Sequence, residues 1–399
     1  MVVVIMVALF GTRAWMAAAK DSDMAHRYSS FPSHAKIHPL SLTSRPVEQE
    51  FRHVRIAPIG DSHLGFGLFS FVGHSSFPPT TKHPEGRRKM PIPSPLLPAS
   101  QQAQGIYDLF EFVLVITSAI LLIVAGLVFY CVIRFRRRPG DGWPKQDFGN
   151  QRLEIFWTVI PLLIVTAMFF LTVQTMNRVH PQPLGQKPEL EIVAHQWWWE
   201  ARYPDSGVVT ANEIHIPVKK NILYRLTSAD VIHDFWVPQL GQKIDAIPNH
   251  PNFSWISADA PGTYLGTCAE YCGAEHAWMR IRVIAQTPKD FADWIAHQQQ
   301  PPPTLSSPLA IAGRGLFLGL PCMNCHTIAG TSAKGTVGPN LTHVASRETL
   351  AAGVLKNTPA NIARWISNPQ KIKPGCHMPN LLLKKNEVEV ISAYLEELK

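Results

Sequence analysis

Cys268-Ala-Glu-Tyr-Cys272-Gly-Ala-Glu-His276-Ala-Trp-Met279, with His233 thirty-five positions upstream in Val231-Ile-His233-Asp-Phe-Trp-Val-Pro238, is the stretch that decides the fold. Two thiols, two imidazoles and a thioether form a soft ligand set that suits copper. Zinc is the competing reading, but structural zinc takes four close ligands and has no use for a Met, whereas a long, weak axial Met tunes the potential of copper. A single blue copper takes one Cys, so the second must also be explained. Two Cys four apart on one loop can each bridge two ions, giving a Cu2S2 core with one His on each copper. Sharing one electron over two metals and two sulfurs spreads the geometric change and favours rapid transfer.

Around this stretch, residues 189–285 carry short β-type runs (Leu190–Ala194, Glu213–Pro217, Ile222–Thr227, Arg280–Ile284) separated by Pro, Gly, Asn and Asp. They predict a small β-sandwich or barrel. Upstream, Phe112–Ile133 is almost wholly apolar and long enough to cross ~30 Å of hydrocarbon. A second run, Ile155–Val173, holds Pro161, which a neighbouring helix makes tolerable. The loop between them opens with Arg134, Arg136, Arg137 and Arg138. The positive-inside rule puts that cluster on the cytoplasmic side and both termini outside, in the periplasm of a Gram-negative cell.

Downstream, Gln298-Gln299-Gln300-Pro301-Pro302-Pro303 reads as a semi-rigid linker. Beyond it lies a second chemical signature. Cys322-Met-Asn-Cys325-His326 is a c-type haem attachment site, in which two thiols add to the vinyl groups and the adjacent imidazole binds iron. Its context agrees: a small-residue helix with Gly313, Gly315 and Gly319 precedes it, and Gly338-Pro339-Asn340-Leu341 follows. Pro374-Gly375-Cys376-His377-Met378-Pro379 supplies a Met fifty-two residues after the His. Helices are expected around Leu309–Leu318, Pro359–Ile366 and Lys385–Leu398, the last with Val388, Ile391 and Leu395 on one face.

Residues 1–100 are rich in Pro, Ser and His with no sustained period, and predict disorder. Their seven His are expected to sit on a solvated tail, and translation is expected to start at Met90. The formal charge of +8 divides unevenly: 11 basic against 6 acidic residues in 1–100, 16 against 18 in 101–304, and 10 against 5 in 305–399. With the basicity at the two ends and no interleaved basic and aromatic surface motif, there is no case for nucleic-acid binding. Four of the six cysteines lie in two tight pairs with His close by, which is ligand arithmetic rather than a disulfide framework.

On these motifs, residues 100–285 resemble subunit II of haem–copper cytochrome c oxidases, whose pattern of His, then Cys-x3-Cys-x3-His-x2-Met, is complete here. Residues 309–399 resemble class I cytochromes c. The first resemblance implies a binuclear copper A centre held by His233, Cys268, Cys272, His276, Met279 and the Glu270 carbonyl. It also implies a role for the Glu270 carboxylate in a Mg2+ or Mn2+ site shared with subunit I. His195-Gln-Trp197-Trp198-Trp199-Glu is similar to the family's aromatic segment, which assigns arrival of electrons to Trp197. Because strand side chains alternate, at least one of the three Trp is expected to be exposed. Leu153-Glu154-x-x-Trp157-Thr158 is similar to the start of the family's second helix, where Glu154 would feed a proton channel, although the helix dipole alone also favours a Glu there. The second resemblance implies Met378 as distal haem ligand and the Pro339 carbonyl as the group orienting His326. Met/His ligation raises the potential. Cys376 is expected to be a free thiol, and His377 a minor competitor for the iron.

The expected architecture is therefore multidomain: an irregular region over 1–100, a two-helix transmembrane hairpin over 101–180, an all-β cupredoxin-like sandwich over 181–297, a linker over 298–308 and an all-α cytochrome c domain over 309–399. The expected function is to accept electrons from a donor cytochrome c or bc1-type complex through haem c and pass them by way of copper A to subunit I. There O2 is reduced to water with proton pumping, alongside subunit III. Residues 181–304 carry 9 basic and 13 acidic residues against a net positive haem domain, so complementary fields are expected to favour docking of the two. A copper A nitric oxide reductase subunit and a copper-delivery protein with a tethered cytochrome are the alternatives. Quinol oxidase subunits share the hairpin but lack the Cys pair.

Overall fold

The computed structural model describes residues 94–143, 145–146, 148–180 and 185–399. The expected start at Met90 and the seven N-terminal His lie outside the described residues. Helices α1 (Gln101–Arg134) and α2 (Gln151–Val179) are both long and apolar enough to cross a membrane, and the arginine-bearing loop between them is exposed. At 1.5 Å per residue the 34 residues of α1 span about 51 Å, well beyond the hydrocarbon thickness. The surplus is at its start, eleven residues before the apolar run. There Ser100 caps the helix by accepting from the Ala103 N–H and donates to the Leu240 carbonyl (2.7 Å), while the Asp259 N–H donates to the Ala99 carbonyl (2.9 Å). The segment just before the hairpin, which the sequence assigns to an irregular stretch up to residue 100, is thus pinned to the β-domain.

Ten strands make that domain: β1 (Leu190–His195), β2 (Trp198–Tyr203), β3 (Val208–Ala211), β4 (Glu213–Pro217), β5 (Ile222–Ser228), β6 (His233–Trp236), β7 (Ile244–Ala246), β8 (Asn252–Ile256), β9 (Gly262–Cys268) and β10 (Arg280–Gln286). They form two five-stranded sheets, ordered β3-β2-β1-β5-β8 and β4-β10-β9-β6-β7. Alternating side chains of both sheets (Leu190, Ile192, Leu226, Ile214, Ile281, Val283) fill the core between them. Helix α3 (Pro288–Gln298) covers one end, its Trp294 stacked on His215 with ring centroids 4.0 Å apart. The Thr287 hydroxyl accepts from the Asp290 N–H and Pro288 occupies the first helical position, so start signals for α3 stand in the sequence although no helix is expected there.

The C-terminal domain packs α4 (Pro308–Gly319) across the terminal helix, with the short α5 (Cys322–Cys325), a two-residue-per-strand hairpin of β11 (Thr349–Leu350) and β12 (Leu355–Lys356), α6 (Pro359–Ser367) and finally α7 (Lys385–Glu396). Val388, Ile391 and Leu395 are buried as the periodicity predicts. Only glycine fits at position 313: a Cβ there would lie 1.9 Å from the Val390 carbonyl oxygen, inside any van der Waals contact, where α4 crosses α7.

Candidate functional site

Strand register builds the first site. β6 pairs antiparallel with β9, Phe235 opposite Cys268, which sets His233 beside the end of β9. The Cys268 N–H donates to the Met279 carbonyl (3.0 Å), folding the 268–279 loop back on itself. The donors converge: Cys268 Sγ lies 3.9 Å from His233 Nδ1 and 3.8 Å from Cys272 Sγ. Cys272 Sγ in turn lies 3.6 Å from His276 Nδ1 and 3.9 Å from Met279 Sδ. The Glu270 carbonyl oxygen is 3.2 Å from Cys268 Sγ, while the Glu270 side chain is exposed. A sulfur separation of 3.8 Å is far too long for a disulfide and leaves room for bridged ions, so the donor set fits a binuclear copper. The two thiols share one proton, which holds Cys268 far below the ordinary thiol range and pushes Cys272 up. Metal binding removes that proton as well.

One residue the sequence reading passed over completes this loop. The Asp230 carboxylate accepts from His233 Nε2 (2.8 Å) and from the backbone N–H of Gln196 and Val231 (2.7 Å each). Burial alone would lower the His233 pKa, but Asp230 and the Cys268 sulfur outweigh it and raise it. The carboxylate fixes the Nε2–H tautomer and aims Nδ1 at the sulfurs. An Asp three residues before a ligand His was the available signal.

The three tryptophans correct an expectation: all are buried, Trp197 and Trp198 8 % exposed and Trp199 fully enclosed. Alternation itself holds. Trp199 points into the sandwich, edge-on to Phe235, and Trp198 points outward, stacked on His195. The outward face is not solvent, because Ala352 of the C-terminal domain packs on Trp198. Trp197 sits in the turn between β1 and β2. Its indole N–H donates to the Cys272 carbonyl (2.9 Å), and its ring lies against His377, centroids 4.9 Å apart.

In the C-terminal domain a cavity of about 230 Å³ is walled by Phe317, Ile362, Ile366, Ile391 and Leu395, and Cys322, Cys325, His326 and Met378 all reach it. His326 Nδ1 lies 2.8 Å from the Pro339 carbonyl, so Nε2 is the atom that could bind a metal, and burial lowers its pKa, which favours the neutral ring. A Cβ on Gly338 would lie 2.6 Å from the His326 ring, so glycine gives that ring its place. Two thiols, a neutral imidazole and a thioether around an apolar cavity fit a covalent haem. Gln370 holds the loop before Met378 by donating to the Cys376 and Met378 carbonyls (2.8 Å each). Glu154 stands exposed in the first turn of α2, capped by Asn150.

Sequence profiles agree with this geometry. The subunit II transmembrane domain of cytochrome c oxidase matches residues 97–174, its periplasmic domain 207–286, and cytochrome c 310–399. Cytochrome c oxidase subunit 2 of Alkalihalophilus pseudofirmus is 35 % identical over 313 residues, covering 76 % of this chain and 90 % of that one. The chain belongs to the cytochrome c oxidase subunit II family. The Bacillus subtilis subunit is 33 % identical over 335 residues, 77 % of this chain and 92 % of its own. Among solved structures, the periplasmic domain of subunit II from Bradyrhizobium japonicum is 34 % identical over 29 % of this chain and 96 % of that one, with a TM-score of 0.28. The family brings copper A to the β-domain and haem c to the cytochrome domain. Relatives that bear the oxidase name disfavour the nitric oxide reductase reading.

Proposed function

We propose that this subunit carries electrons from a donor cytochrome c or bc1-type complex toward subunit I, where O2 is reduced to water with proton pumping. When bound, haem c and a copper pair would supply one-electron carriers whose potentials the Met and Cys donors tune. Cys322 and Cys325 would hold the haem covalently, and His326 and Met378 would supply the donors to its iron. His233, Cys268, Cys272, His276, Met279 and the Glu270 carbonyl hold copper. Trp197 lies between the two sets.

The observation that carries this reading is the double contact of Trp197: hydrogen-bonded through Nε1 to the carbonyl of one bridging Cys, and packed against His377, the neighbour of Met378. An aromatic ring in contact with both ligand loops shortens the through-space part of any route between them. The covered face of Trp197 and Trp198 also means that a soluble donor meets the haem domain first. In the assembled complex, subunits I and III flank the hairpin, both termini and both redox domains face the periplasm, the Glu270 carboxylate helps bind Mg2+ or Mn2+ with subunit I, and Glu154 stands at a proton channel. The domain limits proposed are those of the sequence reading, with the hairpin beginning at residue 101.

Metal and haem analysis of the purified oxidase, with optical and EPR spectra, tests the reading. Two coppers per chain as a mixed-valence pair and one covalent haem are expected in this subunit. Zinc in place of copper overturns it.

A further inference from the structure

The cytochrome domain is seated on the sandwich through an anchor that neither cofactor loop provides. Glu213 opens β4 and is 2 % exposed. Its carboxylate accepts three hydrogen bonds from the other domain: the Glu348 N–H (2.9 Å), the Thr349 N–H (2.8 Å) and the Thr349 hydroxyl (2.6 Å). Parallel pairing of β4 with β10 places Arg282 opposite Glu213. Its guanidinium stands 3.8 Å from the Glu213 carboxylate and also binds the carboxylate of Glu348, so one arginine spans both domains.

Beyond Thr349 the chain turns through Ala351, Ala352 and Gly353, all with left-handed φ (53°, 58° and 79°). The first two carry a Cβ that this conformation penalises, so the turn persists where its surroundings hold it. What holds it is the sandwich: Ala352 packs on Trp198 and Ala211, and Gly353 lies against Arg280. On the far side of the interface the Lys373 ammonium, 3 % exposed, donates to the Trp197 carbonyl (2.9 Å).

A carboxylate that accepts two consecutive backbone N–H groups and a hydroxyl is a receptor with one geometry. Rotation of the cytochrome domain by a few degrees breaks all three bonds and leaves the Glu213 carboxylate only the longer contact to Arg282 within its own domain, at the cost of the lost charge-assisted hydrogen bonds. We propose that Glu213 is the positioning residue that seats the cytochrome domain on the sandwich in a single orientation, so that the domain is a permanently docked donor and not one that swings on its linker. The seat stands on these contacts alone; its bearing on electron delivery rests on the reading given above.

The test uses the whole oxidase and follows amide hydrogen exchange at Glu348 and Thr349, with the haem-to-copper transfer rate, the copper EPR signal and the haem optical spectrum measured alongside. Glu213→Gln keeps the shape but removes the charge and turns an amide NH2 toward the donors. Exchange at both amides is expected to rise about ten- to hundredfold, with transfer slowed and both cofactor spectra unchanged. Thr349→Val removes one donor from the half-buried partner side and should raise exchange about threefold to tenfold. Its effect should be non-additive with Glu213→Gln, as for residues in direct contact; it also serves if the first variant does not assemble. Unchanged exchange at Glu348 and Thr349 in these variants overturns the seat. Faster exchange with unchanged transfer upholds the seat and instead overturns the haem-to-copper route.

Discussion

In the copper loop the side-chain donors already touch one another, and Cys268, Cys272 and Met279 belong to the buried core of the sandwich. In the cytochrome domain the corresponding donors line a cavity of about 230 Å³. The difference is one of what supports the ligands. Strand register holds His233 beside Cys268, so the copper loop takes its shape from a core that would form in any case. The haem ligands sit on short helices and loops whose apolar residues wall the cavity. Those apolar walls face a hollow, open on one side, that their own packing does not fill. A haem in that hollow would complete the domain's core, whereas the sandwich core that carries the copper loop is already closed on itself.

The sharpest way to break this contrast is to remove each cofactor in turn. Cys322→Ala with Cys325→Ala eliminates covalent haem, and the cytochrome domain should lose its cooperative melt and become sensitive to protease. The copper EPR signal should persist in the same protein. Chelating copper from the parent protein should abolish that signal with the sandwich's circular dichroism unchanged. A cytochrome domain that still melts cooperatively without haem would end the comparison.

A subtler probe lies on the copper side, where Asp230 orients His233. Asp230→Asn keeps one of the two carboxylate oxygens that accept from the Gln196 and Val231 N–H groups, replaces the other with an amide NH2, and withdraws the charge from His233 Nε2. Loss of such a partner costs about 10- to 100-fold in metal affinity. Copper retention against a graded chelator should shift by that factor, with the sandwich intact. Equal retention would mean that register alone aims the imidazole.

Both donor sets that the structure gathers could be picked out in the sequence because each is written mostly in a short segment: Cys268 to Met279 on one loop, Cys322 to His326 on another. The strands were legible where period 2 ran unbroken, as in Arg280–Ile284. Contacts made across the chain leave no local mark. Glu213 meets Thr349 136 positions away, and Lys373 meets Trp197 176 positions away. The exposure expected for one tryptophan failed for the same reason: alternation says which way Trp198 points, not what covers it. Asp230 and the Thr287 cap of α3 were local and readable, and their neighbours drew the reading instead.

Lys373 supplies a pH handle on the interface. Burial depresses its pKa to about 8 from 10.5, opposed by Glu275. A lysine whose folded pKa is lowered binds fewer protons folded than unfolded between those two values, so stability rises with pH across that window. The buried hydroxyls of Tyr203 and Tyr224, raised above 10, act in the opposite sense only at higher pH. Between pH 8 and 10 the interface should therefore strengthen by at most about 1.4 kcal/mol per unit. Lys373→Met should flatten that slope in an unfolding titration; an unchanged slope would assign it to another group.

The smallest effect expected is that of salt, and it separates two pictures of how the domains meet. Opposite net charges on the two domains predict an encounter that weakens as ions screen it, over a Debye length near 10 Å at 0.1 M. The anchors themselves are out of reach of that screening: the Glu213 side chain is 3 % exposed and Lys373 is 3 % exposed. What salt can still touch are exposed groups such as the Glu348 carboxylate, each worth a fraction of a kcal/mol. Haem-to-copper transfer within the chain should then change by less than about twofold as salt rises. Reduction of the haem by a soluble donor, a true encounter between charged surfaces, should fall steeply over the same range. If the two rates fall together, the cytochrome domain is docking afresh at each turnover, and the long-range fields outweigh the buried seat.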